Sequence, residues 1–143
     1  GWSTNMIKIY SRHDVEKLCH IIIKKDEINK KRKDIIPEDN FLQLSTLNLP
    51  NGTTFRPHKH IWKEGEQKVI AQESWVVVEG EVDVTYYDTE GSTPIGNYRI
   101  GPGDCSITLY GGHTYKAVGE CKVYEFKTGP YKGQKLDKRF LDE

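Results

Sequence analysis

The chain has 143 residues, enough for one domain that buries roughly two thirds of the surface of its unfolded form. Hydrophobic residues make up 36% of it, which supplies one core and not two. Lys plus Arg and Asp plus Glu both number 21, so no net field draws the chain to nucleic acid or to an anionic membrane, and no apolar run approaches the roughly 20 residues of a membrane span.

In chain order, Gly1 to Asn5 before Met6 reads as an expression-vector remnant ahead of a native start, with no signal peptide. Residues 6–40 read as an N-terminal extension and 41–143 as the main domain. Within the extension, Ile7-Lys8-Ile9-Tyr10 alternates like a strand, and Ser11 or Asp14 is placed to cap a short helix running to Leu18. Cys19 to Ile23 is rich in β-branched residues and reads as a strand. Lys24 to Asp34 mixes basic and acidic residues, as a solvated and partly mobile surface segment does.

From Phe41 onward the pattern is all β. Phe41 to Leu49 alternates with period two and ends at the turn signal Pro50-Asn51-Gly52, and Thr53 to His60 forms the next strand. Ser74 to Val78 and Val82 to Tyr87 flank Glu79-Gly80-Glu81, read as a tight hairpin. Asn97 to Ile100, Cys105 to Leu109, Thr114 to Val118 and Lys122 to Lys127 follow, separated by glycine-bearing turns. Many short strands and little helix predict a closed barrel or a sandwich. Cys19, Cys105 and Cys121 have no CxxC spacing and are expected to be reduced, buried thiols of a cytoplasmic protein.

His58-Lys59-His60 carries the first chemical signal. On a strand these two imidazoles share a face, about 7 Å apart, and can converge on one transition-metal ion. Glu73 is followed six residues later by Gly80, and Gly103, Gly111 and His113 follow in order. This arrangement resembles the cupin superfamily, whose first motif runs glycine, His-x-His, Glu, glycine and whose second runs glycine, proline, glycine, His. Gly52, His58, His60, Glu73 and Gly80 fall on the first motif, and Gly103, Gly111 and His113 on the second. Twelve residues separate His60 from Glu73, where the motif has three or four, so Glu64 competes for the ligand position; Gly80 favours Glu73. Leu109 stands where the motif has proline, His113 lies one residue early, and Ala117 stands where asparagine is common.

The resemblance implies an all-β cupin double-stranded β-helix, or jelly-roll barrel, holding one divalent transition metal (Fe, Mn, Zn or Ni) through His58, His60, Glu73 and His113. The C-terminal run Tyr124 to Tyr131, with Asp137, Lys138 and Phe140, resembles the end of the WbuC-type cupins, and that likeness extends over Phe41 to Phe140. It implies a metal-binding cupin associated with surface-polysaccharide synthesis. Around the metal, strand parity makes Arg56, Trp75, Tyr86 and Lys127 candidate substrate-binding residues, and Tyr115 and Glu125 candidate catalytic groups. Residues 61–72 are a candidate lid or an extended hairpin.

Three functions follow: a sugar or sugar-nucleotide isomerase or epimerase, a dioxygenase of a small organic acid, and a non-catalytic sugar-binding module. The expected partners are a small-molecule substrate and a second copy in a homodimer, since an exposed N-terminal strand needs cover.

Overall fold

The structure is a computed structural model and describes residues 6–14, 16–60, 62–63, 69–129 and 138–141; for residues 60, 62, 63, 69, 70 and 138 it describes the backbone alone. The elements are β1 (Ile7–Tyr10), β2 (Leu18–Ile22), a short 3-10 turn (Lys25–Glu27), β3 (Lys33–Asp34), β4 (Leu42–Leu49), β5 (His58–His60), β6 (Trp62–Lys63), β7 (Val69–Ile70), β8 (Glu73–Tyr87), β9 (Pro94–Ile100), β10 (Cys105–Thr108), β11 (Gly112–Thr128) and β12 (Lys138–Phe140). All of the pairings are antiparallel.

Two long strands, β8 and β11, organise the barrel. The first half of β8 pairs with β10 and its second half with β9, while β11 pairs with β5 early and with β4 late. The strand orders are therefore β10-β8-β11-β4-β3 along one side and β9-β8-β11-β5-β12 along the other. The fold is an all-β jelly roll, as the resemblance implies and within the barrel-or-sandwich choice that the strand pattern predicts.

The hairpin expected at Glu79-Gly80-Glu81 is absent, and β8 continues through it. Gly80 has φ +79°, and beside it the pairing of β8 with β11 shifts register twice, between Val118 and Lys122 and, by the single residue Val78, between Lys122 and Val123. A bulge therefore bends the strand without reversing it. A Cβ on Gly80 would collide with the Glu120 backbone carbonyl, so glycine is required there for close approach as well as for its dihedral. Burial follows the bulge: Glu73, Trp75 and Val77 are buried before it, and Val82 and Val84 after it, so the inward parity changes from odd to even. The core comprises these apolar residues with Leu47, Leu49, Tyr115, Ala117, Cys121 and Val123.

Other expectations need correction. The helix predicted from Ser11 or Asp14 to Leu18 does not form. The Ser11 hydroxyl accepts the His13 and Asp14 amides as a cap would, but Leu18 pairs with Tyr10 to begin β2, so tertiary pairing overrides the capping signal. Of the strand expected over Thr53 to His60, only His58–His60 forms a ladder, joined by an isolated bridge from Thr54 to Lys116. The three cysteines are free thiols, but only Cys121 is buried; Cys19 and Cys105 are exposed. The basic segment is anchored in part: the Arg32 guanidinium reaches Glu125 at 2.8 Å, Ser45 at 3.1 Å and Asp34 at 3.1 Å.

Candidate metal centre and its surroundings

Strand pairing assembles the centre. In the β5–β11 ladder His58 stands directly opposite His113, a placement that brings facing side chains to contact range. Glu73 is opposite Thr108 on β10 and Lys127 on β11. The three groups are buried, with exposures of 7% for His58, 7% for Glu73 and 0% for His113.

Their ligand atoms lie within 4.8 Å of one another. His113 Nε2 is 3.2 Å from His58 Nε2 and 3.4 Å from Glu73 Oε1. Donors bound at about 2.1 Å to one tetrahedral or octahedral ion stand roughly 3–3.4 Å apart, so the spacing fits a first-row divalent metal. The outer hydrogen bonds fit it as well. A carbonyl oxygen only accepts, so His58 Nδ1–H donates to the Arg56 carbonyl at 3.2 Å, and Nε2 becomes the acceptor nitrogen of the neutral ring. His113 Nδ1 is 2.7 Å from the Thr108 hydroxyl, which serves either tautomer. Two Nε2 nitrogens and a carboxylate oxygen thus converge, a donor set of the kind that holds a divalent cation. His58, Glu73 and His113 can thus hold a metal ion.

The remaining predicted residues fall into distinct places. His60 lies on β5 with its backbone paired to Lys138; its side chain and all of Glu64 lie outside the described residues. Of the candidate lid, the described backbone is a hairpin stem in which Trp62 pairs with Ile70 and Lys63 with Val69. Tyr115 is buried, stacked on Trp75 (3.8 Å between centroids, 8° between planes) and 4.9 Å from the His113 ring. Burial, reinforced by the Glu73 carboxylate, pushes its hydroxyl well above the usual tyrosine pKa, so it stays protonated at neutral pH.

Glu125 sits one step further into the barrel. Its Oε2 accepts the Trp75 indole N–H at 3.0 Å and its Oε1 accepts from Arg32 at 2.8 Å. Tyr86 is half-buried, with its hydroxyl 2.6 Å from that of Ser106, which in turn is 3.3 Å from the Tyr115 hydroxyl. Arg56 is exposed, its guanidinium 4.1 Å over the Phe140 ring. Lys127 is half-buried at the end of β11.

No protein-family model matches the sequence, and no curated protein matches it. Solved structures do match. KdgF from Halomonas sp. is 20% identical, with 73% of this chain and 82% of that one covered and a TM-score of 0.54. The cupin domain of Cnp3 from Schizosaccharomyces pombe is 12% identical, covering 87% and 85%, with a TM-score of 0.57. Oxalate decarboxylase from Bacillus subtilis is 17% identical with a TM-score of 0.57, covering 77% of this chain and 27% of its own. At such identities the shared property is the fold. The chain has the cupin fold.

Sequence reasoning missed three contributors to the interior of this barrel. Thr108 holds His113 but sits beside Leu109 at a motif position where no residue type is specified. Phe140 packs edge-on to His58 (6.3 Å between centroids) because β12 pairs with β5, and its place in the C-terminal Asp-Lys-x-Phe run was the available signal. Arg32 reaches Glu125 across 93 positions, and nothing in a mixed-charge run singles it out.

Proposed function

We propose that this cupin is a metal-dependent protein acting on a sugar or sugar nucleotide, of isomerase or epimerase type, in surface-polysaccharide metabolism. The observation that carries the metal reading is the convergence of His58 Nε2, His113 Nε2 and Glu73 Oε1 in a buried place, with His58 Nδ1 committed to a backbone carbonyl. His58, His60, Glu73 and His113 would hold one divalent ion (Fe, Mn, Zn or Ni), which when bound supplies Lewis-acid polarisation of a substrate oxygen. The C-terminal likeness to WbuC-type cupins supports the polysaccharide setting.

The chain's own residues take the other roles. Tyr115 presents a protonated hydroxyl beside His113 and can donate a proton or a hydrogen bond to a substrate oxygen. Both carboxylate oxygens of Glu125 are engaged by Trp75 and Arg32, which supports a positioning role: it fixes the indole on which Tyr115 stacks. Arg56 lies at the rim, where an exposed guanidinium can meet a carboxylate or phosphate. Lys127, opposite Glu73 in the β8–β11 ladder, and Tyr86 flank the centre.

Sugar binding without turnover is the second reading, and the mutual engagement of Trp75, Tyr115 and Glu125 supports it, because these groups already satisfy one another. A dioxygenase of a small organic acid is the third, marked by iron and oxygen uptake. Three free cysteines support a cytoplasmic setting, and no helix of the described chain is long and apolar enough to cross a membrane. A homodimer is supported by the β1–β2 hairpin, a separate two-stranded sheet that exposes Ile7, Ile9, Tyr10 and Ile22. Light scattering that returns the monomer mass would remove the dimer.

The deciding experiment is a metal assay on untagged protein with His58→Ala, Glu73→Ala and Glu64→Ala in parallel. The first two variants are expected to lose the ion and the third to keep it. Full stoichiometry in both His58→Ala and Glu73→Ala would overturn the centre.

A further inference from the structure

Among the described residues, the eleven exposed large hydrophobic side chains fall into two groups, one near the N-terminal strands and the other comprising Ile95, Tyr98, Ile107, Leu109 and Tyr110. The second group lines a groove of about 610 Å³. It lies between β9 and β10, each of which pairs with β8 alone among the described strands, so the groove is the open seam between the two sides of the barrel. Its volume is that of a small-molecule site.

The lining is distinctive in two ways. Four of its ten residues are tyrosines (Tyr86, Tyr87, Tyr98 and Tyr110), and none is charged. In a chain with 29% charged residues, ten positions would carry about three. A charged ligand would lose its hydration there without gaining a counter-charge, whereas an uncharged one is not penalised. Tyrosine offers an apolar face and a hydroxyl on one rigid group, the combination that a ring bearing hydroxyls requires. The Tyr86 and Tyr98 rings stand 6.2 Å apart at 50°, presenting two differently inclined faces.

The groove also touches the metal centre. Thr108 lines it and binds His113 Nδ1 at 2.7 Å, while Tyr86 lines it and hydrogen-bonds Ser106 at 2.6 Å. We propose that this seam groove binds the uncharged ring of a saccharide beside the metal centre. The choice of a sugar rests on the function proposed above; the choice of a neutral ring rests on the lining. The phosphates of a sugar nucleotide would lie outside the groove, in solvent.

The test uses the full metal-loaded chain and backbone amide spectra, with methyl α-glucoside, methyl α-galactoside and methyl α-mannoside as neutral probes and glucuronate as the charged one. Saturable shifts at Gly96, Tyr98 and Tyr110 with a neutral probe are expected. Affinity should fall about tenfold or more in Tyr98→Ala and Tyr110→Ala, at unchanged metal content and melting temperature, since both side chains are exposed. The proposal is overturned if no neutral probe shifts these residues, if glucuronate shifts them equally, or if Tyr98→Ala binds like the parent. It is also overturned if Tyr98→Ala turns a dimer into a monomer by light scattering, because the groove is then a subunit interface. Metal content in His58→Ala is read separately, so failure of the metal centre is distinguishable from failure of the groove.

Discussion

Among the described residues two carboxylates are buried, each 7% exposed, and their surroundings differ in kind. Glu125 accepts from the Arg32 guanidinium and from the Trp75 indole, donors that cannot act as anything else. Glu73 faces an imidazole nitrogen of His113, which in turn faces His58, groups that accept as readily as they donate. Burial is therefore the same, while the chemistry differs: one carboxylate is matched by fixed protein cations and dipoles, the other by nitrogens whose role an incoming ion can set. The difference between a structural charge and a functional one is read from its partners, not from its depth.

The comparison can be broken most severely at Glu73. Glu73→Ala is expected to lower metal affinity by more than about 100-fold, beyond the range for outer partners, measured by titration calorimetry; an unchanged affinity would make Glu73 as structural as Glu125. Thr108→Val removes the hydrogen bond that orients His113 and should lower metal affinity about 10- to 100-fold without changing the fold, as checked by circular dichroism.

At the other carboxylate the losses should appear in stability. Glu125→Ala leaves the buried Trp75 N–H without its acceptor and is expected to cost about 2 kcal/mol in urea unfolding while metal stoichiometry stays intact. Arg32→Ala should cost less, about 1 kcal/mol, because the arginine side chain is 42% exposed and solvent screens the pair. Loss of metal in either variant would merge the two regions into one.

The smallest effect concerns acid. Burial pushes the Asp34 carboxyl up, but the Ser45 hydroxyl and the Arg32 guanidinium outweigh it and hold the group below its ordinary value. A carboxyl whose folded pKa is depressed contributes stability above its unfolded pKa of about 4 and loses it as pH falls through the folded value. Asp34→Asn should accordingly lower stability at neutral pH and flatten the acid limb below about pH 4, where variant and parent converge. A parallel acid limb in the variant would remove Asp34 from the network.

These contrasts explain what the sequence disclosed. His58, Glu73 and His113 were legible because each sits at a fixed offset from a glycine, and strands convert such offsets into shared faces. Gly80 was legible as a special position but not as a bulge, because a positive φ serves a hairpin and a bend equally and the choice depends on where β11 passes. The ion pair between Arg32 and Glu125 was not legible at all, since no local rule links two residues 93 positions apart. The candidate helix after Ser11 failed for a related reason: the cap is local, while the pairing of Leu18 with Tyr10 that displaced it is a property of the folded hairpin.

The bulge at Gly80 has a consequence for how the chain finds its fold. Inward positions are odd before it and even after it, so β8 carries two alternation patterns out of phase with each other. A uniform ladder with β11 could satisfy one half of the strand only by turning the other half inside out, exposing either Trp75 and Val77 or Val82 and Val84. The defect thus works as a key that admits a single alignment of the two longest strands.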